Sequence, residues 1–359
     1  MKSPAPKDYR MPAEWEPHTA TWIGWPHNQS DWPGKMSVIP WVYGEMARRI
    51  AEGETLRILV NSKQHEQRAR RVLERAHARM EDIVFHRWPT NRGWTRDFGP
   101  ICVRHKKEVA IVDFTFNAWA RYPHWKKDNA IPARAAKALS LKRIPALHEG
   151  NQVVLEGGAI DVNGKGTLLT TEECFLDPNV QVRNPGFTRN DYEQVFRKTL
   201  GIRHTVWLGK GIAGDDTHGH VDDVCRFVSA TTVVLVREDH PKDDNHWPLA
   251  ENRERLEEAR LANGERLQVV DLPMPAPLYQ SGRRLPASYA NFYICNAAVL
   301  VPTFNDPNDR IALGILSELF TDRPVIGIHA VDLVWGLGTL HCLTQQEPAG
   351  RVGQYTEKN

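Results

Sequence analysis

The stretch Gly214-Asp-Asp-Thr-His-Gly-His-Val-Asp-Asp223 gathers four carboxylates and two imidazoles into ten residues, and an apolar run around one arginine follows at 224–228. Titratable groups held where a loop enters a strand are a common way to build a catalytic site. Three readings fit this composition. The stretch could be a solvated acidic loop. It could hold metal, because His218-x-His220-x-Asp222 has the ligand spacing of a dinuclear zinc hydrolase. Or it could be an acid/base site for a planar cation, with His220 and Asp222 as working parts.

Three further motifs favour the last reading. Trp94-Thr-Arg-Asp-Phe-Gly-Pro100 carries one carboxylate, Asp97, beside Arg96; a cap or ion pair would use the same residues. Leu155-Glu-Gly-Gly158 sets Glu156 in a run that reads as a strand, where a carboxylate needs either a positive partner or an outward face. Gly336-Leu-Gly-Thr-Leu-His-Cys-Leu-Thr-Gln-Gln-Glu-Pro348 places Cys342 after a Gly-x-Gly approach. Buried cysteines are mostly inert, but such an approach lets backbone come close to a ligand. Taken together, the set suits a guanidinium, which is planar, cationic and presents paired N–H donors to two carboxylates. Asp97 and Asp222 would bind it, Cys342 would add to its central carbon, and His220 would protonate the departing nitrogen. Glu156 would orient and charge His220, and Trp94 would offer an aromatic face. No metal or cofactor is needed for that chemistry.

Composition narrows the classes. The 359 residues carry a formal net charge of +2 without a basic stripe, so no nucleic-acid partner is expected. No apolar run reaches membrane-spanning length. Residues 1–10 are polar and proline-rich, unlike a signal peptide. Five scattered cysteines, none in a Cys-x-x-Cys pair, speak for a reducing, cytoplasmic setting.

The elements that must position these motifs recur. Strand pairs are expected at 101–104 with 109–114, 153–162 with 167–171, 224–228 with 232–236, and 291–295 with 299–301. Helices follow at 130–139, 191–200, 249–263 and 310–320, and strands return at 204–208, 267–271 and 325–328. A looser copy precedes them, with strands at 19–25 and 56–60 and helices at 41–50 and 62–80. A ring of small α/β units fits this order better than one doubly wound sheet.

The motifs also resemble a known family over almost the whole chain. They include Met11-Pro-Ala-Glu-Trp-Glu-Pro-His18, Phe116-Asn-Ala-Trp119, Leu168-Leu-Thr-Thr-Glu-Glu-Cys174 and Ser288-Tyr-Ala-Asn-Phe-Tyr293. With Arg96-Asp-Phe-Gly-Pro100, Leu155-Glu-Gly-Gly158, Gly219-His-Val-Asp222 and His341-Cys-Leu-Thr-Gln-Gln346, the chain is similar to the agmatine deiminases. These belong to the guanidine-modifying, or pentein, superfamily, which also holds arginine deiminases and bacterial peptidyl-arginine deiminases. The resemblance implies a five-bladed α/β propeller forming one catalytic domain over 1–359. It implies hydrolysis of agmatine to N-carbamoylputrescine and ammonia, through an amidino-cysteine on Cys342, in putrescine and polyamine biosynthesis. It places Asp216 and Trp119 in the substrate site and implies a homo-oligomer. Leu337, Thr339, Asp223 and His218 depart from common family residues near the pocket. Two alternatives stay open at this point: deimination of free or C-terminal peptidyl arginine, and a zinc-dependent hydrolase built on His218, His220 and Asp222.

Overall fold

The structure, a computed structural model, describes residues 8–350. The proline-rich segment 1–7 lies outside them. One local plan repeats through the chain. In each copy two antiparallel strands are followed by a helix and then by a strand parallel to the second. Ile101–His105 pairs with Glu108–Asp113, which pairs parallel with Lys142–Pro145 after the helix Ile131–Ala138. Asp161–Val162, Thr167–Thr171 and His204–Leu208 repeat the order around the helix Arg189–Leu200. Cys225–Phe227, Thr232–Arg237 and Gln268–Pro273 repeat it around His246–Glu258, and Tyr293–Ile294, Val299–Thr303 and Val325–His329 around Pro307–Leu319.

The looser N-terminal copy is completed from the far end of the chain. His18–Gly24 pairs parallel with Thr55–Leu59 and antiparallel with Thr344–Pro348, two residues past Cys342. Thr344–Pro348 is a polar run in the sequence, yet all five of its residues are buried. Most of its polar side chains have partners, the Gln345 side-chain oxygen being the exception. Arg96 donates to Gln346 at 2.7 Å, and Trp22 and Arg57 donate to Glu347 at 3.1 and 2.9 Å.

Local chemistry sets the helix ends. Thr188 and Asp191 cap each other at the start of Arg189–Leu200, and Gly201 (φ 70°) ends it in the left-handed region. Tyr192, Val195, Phe196 and Leu200 form its buried face, as their spacing predicts. Several expectations fail in detail, among them the helix expected over 249–263, which spans His246–Glu258, and the strand expected over 291–295, which is reduced to Tyr293–Ile294. The helix expected over 62–80 stops at Arg75, before Ala76-His-Ala, where His77 takes a positive φ of 57°. The strand expected over 153–162 is reduced to Asp161–Val162, because Gly157–Ala159 forms a single 3-10 turn. Glu156 therefore lies at the entrance to a turn and not within a strand.

Candidate active site

The proposed groups come from separate units and converge. Cys342 follows the left-handed Leu337 (φ 69°) and Gly338, whose added Cβ would stand 2.9 Å from the Trp94 ring and 3.2 Å from Cys342 Sγ. Asp97 sits on the short helical turn Thr95–Phe98. That turn is tied to the cysteine segment, since Arg96 N–H donates to the Cys342 carbonyl at 3.1 Å. His220 and Asp222 come from the loop that enters Cys225–Phe227 through the 3-10 turn Val221–Asp223.

Gly158 marks where they meet. A Cβ there would lie 2.6 Å from His220 Nδ1, 2.8 Å from Asp97 Oδ1 and 3.1 Å from Asp222 Oδ2. The missing side chain keeps that point open. Around it the polar groups are incompletely paired. The His220 ring is 1% exposed, stands 3.7 Å from both Asp97 Oδ1 and Glu156 Oε2, and neither ring nitrogen has a hydrogen-bond partner. Asp222 Oδ1 is likewise buried and unpartnered, while Oδ2 faces His341 Nδ1 at 2.6 Å and Cys342 Sγ at 3.7 Å. Buried polar groups are normally satisfied, so this cluster points to a polar ligand.

A cavity of about 350 Å³ leads inward to Asp97 and Cys342. That volume suits a small molecule. Trp94, Trp119, Tyr122 and Asp216 line it. Trp119 occupies a run of three left-handed residues, 118–120, and its indole donates to Asp97 Oδ2 at 2.9 Å. Strained backbone at a ligand-facing position is a common feature of functional sites.

The zinc spacing is not assembled. His218 Nε2 lies 2.9 Å from Asp177 Oδ2, whereas the His220 ring faces Asp97 and Glu156. Side chains two apart along a loop have been turned to different neighbours. Among the described residues, the groupings close enough to share an ion are Glu156–Cys174–His220 and Asp222–Asp223–Cys342.

Electrostatics divide the labour. Burial works against a charged His220, but Asp97, the Cys174 thiol and Glu156 outweigh it and push the imidazole well above its ordinary range. Glu156 stays below the usual carboxylate range despite burial, held there by Arg183 and His220. Asp222 is also kept low against burial, mainly by His341. Burial raises Asp97 to about 6, with His220 opposing and Asp222 and Glu156 reinforcing the rise. The Cys342 thiol is pushed well up by burial and by Asp222, Asp223 and Asp97.

Several supporting residues have no role in the sequence reading, although Asn291 and Glu14 lie in motifs quoted there and Thr339 is named as a departure from the family. Asn291 Nδ2 donates to Cys342 Sγ at 3.1 Å, and its Oδ1 accepts from Thr339 Oγ1 at 2.7 Å and from His341 N–H at 3.1 Å. Thr339 thus has a function in holding Asn291. Arg183 donates to both oxygens of Glu156 at 3.2 and 3.3 Å, with both side chains fully buried. Behind the site Glu14 binds Arg96, Arg226 and His341 at 3.0, 3.0 and 2.9 Å.

Comparison with known proteins places this arrangement. A Pseudomonas aeruginosa agmatine deiminase is 34% identical over 97% of this chain and 98% of its own length. The structure of an Enterococcus faecalis agmatine deiminase superposes with a TM-score of 0.88 at 30% identity, covering 97% of this chain and 99% of that one. A Porphyromonas gingivalis protein provisionally named an arginine deiminase gives a TM-score of 0.85 at 36% identity, over 95% and 99% of the two chains. The sequence pattern of the Porphyromonas-type peptidyl-arginine deiminases matches residues 10–348. The chain belongs to that family.

Proposed function

We propose that this chain is an agmatine deiminase, hydrolysing agmatine to N-carbamoylputrescine and ammonia. The observation that carries the reading is the set of unpartnered buried atoms, His220 Nδ1 and Nε2 and Asp222 Oδ1, around Cys342. The relatives named agmatine deiminase support the substrate. So does the state of the four arginines near the cavity that could receive the carboxylate of an arginine. Arg92 is paired with Asp31, Arg96 with Glu14, and both Arg121 and Arg283 with Asp216. The five repeats agree with a five-bladed propeller acting as one catalytic domain. Five unbonded cysteines accord with a reducing cytoplasm, and the family resemblance supports a homo-oligomer.

The mechanism follows from the charges. In the free site three carboxylates disfavour a thiolate at Cys342. A guanidinium between Asp97 and Asp222 offsets them and lets the thiol lose its proton to solvent. The thiolate forms a bond to the guanidinium carbon. His220, held as an imidazolium, gives its proton to one terminal nitrogen, and ammonia leaves with the electrons of its C–N bond. The neutral imidazole then takes a proton from water as the hydroxide adds to the amidino carbon. Collapse expels the Cys342 thiolate as the hydroxyl proton passes to solvent, and frees the neutral carbamoyl product. Asp97 and Glu156 keep His220 charged, and Arg183 keeps Glu156 ionised.

The test is ammonia release by the purified protein with EDTA present, from agmatine, arginine and a peptide ending in arginine. Release from agmatine, abolished in Cys342→Ala, is expected. Release from arginine or the peptide alone overturns the substrate, and activity that requires added zinc overturns the thiol chemistry.

A further inference from the structure

His220 must deliver a proton to one nitrogen, yet among the described residues its ring has no hydrogen-bond partner. The charged atoms beside it, Asp97 Oδ1 and Glu156 Oε2, both stand at 3.7 Å. Its place is therefore set by the backbone that carries it. That backbone, 214–220, is neither helix nor strand, and Gly214, His218 and Gly219 take positive φ values of 91°, 66° and 88°. A left-handed histidine costs free energy, and an irregular segment has no ladder to satisfy its N–H and C=O groups.

Side chains satisfy them instead. Asp215 Oδ1 accepts from Thr217 N–H at 2.7 Å and from Thr217 Oγ1 at 2.6 Å. Its Oδ2 accepts from Gly219 N–H at 2.8 Å and from His220 N–H at 3.1 Å. Thr171 Oγ1 donates to the Gly219 carbonyl at 2.5 Å, and Arg183 donates to the Thr217 carbonyl. One carboxylate thus gathers three backbone N–H groups of the loop, the last being that of His220 itself. Asp222, further along the same segment, has a separate anchor in His341 Nδ1 at 2.6 Å.

We infer that Asp215 is a positioning residue for the reaction, fixing His220 where it protonates the departing nitrogen and leaving guanidinium binding to Asp97 and Asp222. In Asp215→Asn an amide NH2 replaces one carboxylate oxygen and opposes N–H groups, so one side of the clamp opens. The inference rests on the deimination reading above and adds what places its acid.

The test changes the leaving group. N-(4-aminobutyl)-S-methylisothiourea carries a methylthio group where agmatine carries the departing nitrogen. Bond formation by Cys342 Sγ gives the same amidino-cysteine from either compound. Ammonia leaves agmatine only with the proton of His220, whereas the C–S bond of the analogue breaks with its electrons to give methanethiolate, an anion stable without that proton. First-turnover release of ammonia or methanethiol is measured at saturating substrate. In Asp215→Asn the rate from agmatine should fall about 100-fold, as for a misplaced reacting group, and the rate from the analogue by less than about threefold. Equal losses on both compounds, or an unchanged rate from agmatine, overturn the assignment. Should Asp215→Asn fail to fold, Asp215→Ser, which keeps a short acceptor, is held to the same split. A wild-type protein that releases no ammonia from agmatine overturns the deimination reading itself, a failure distinct from equal losses in the variant.

Discussion

His341 Nδ1 stands 2.6 Å from Asp222 Oδ2, in a site where both side chains are at most 1% exposed. The opposite nitrogen of the ring faces Glu14 Oε2 at 2.9 Å, so the residue next to the nucleophile links the guanidinium-binding carboxylate to the buried arginines behind it. His341 is also the main reason Asp222 remains ionised in a desolvated place. His341→Ala is therefore expected to lower kcat/KM for agmatine by about 10- to 100-fold at pH 7, the value of a hydrogen bond to a charged group. Steady-state kinetics check this, and a loss under threefold would mean Asp222 holds its charge unaided.

Acidity should act through Asp97. Its carboxyl is raised to about 6, and it must be ionised to receive a guanidinium. The competent form is present above that value and is lost as pH falls through it. The kcat/KM profile should therefore show an acid limb with its midpoint near 6, falling about tenfold per pH unit below. A profile flat down to pH 4.5 would show that Asp97 titrates normally.

Arg183 and Glu156 form a fully buried pair. Arg183→Met leaves Glu156 uncompensated and should cost about 3–5 kcal/mol in urea unfolding. Adding Glu156→Gln should restore much of that stability without restoring turnover, because His220 then loses one of its two charged neighbours. Equal losses from the single and double variants would locate the role of Arg183 elsewhere.

Gly158→Ala fills the meeting point of His220, Asp97 and Asp222 with a methyl group 2.6 to 3.1 Å from each. A displacement of that size at reacting groups costs roughly 100-fold in rate. Ammonia release should fall by at least that much while circular dichroism is unchanged. Full activity would mean that the three groups do not meet a substrate together.

The reacting groups were legible in the sequence because each stands in a short segment of unusual composition. Asp97, Glu156, His220, Asp222 and Cys342 were all named from such segments, and the structure brings them together. The repeated units were legible from alternating apolar strands and helix-spaced faces. What supports the site was not. Glu14 reaches Arg96, Arg226 and His341 across sequence separations of 82, 212 and 327 residues, and no local pattern records such pairings. Glu156 was assigned to a strand because Val, Leu and Ile around it mimic one, whereas Gly157 and Gly158 turn the chain. Thr344–Pro348 stands within a quoted motif but does not read as a buried strand, because it lacks apolar alternation.

The pairing of Thr344–Pro348 with His18–Gly24 has a consequence for synthesis. A ribosome delivers His18–Gly24 long before Thr344–Pro348, and domains tend to form in the order they emerge. Until the final strand docks, Cys342 has no fixed position and the strand 18–24 keeps one open edge. Stalled nascent chains ending before residue 342 should be inactive and prone to associate through that edge. The enzyme would thus become active in a single late step, when the two ends of the described chain meet.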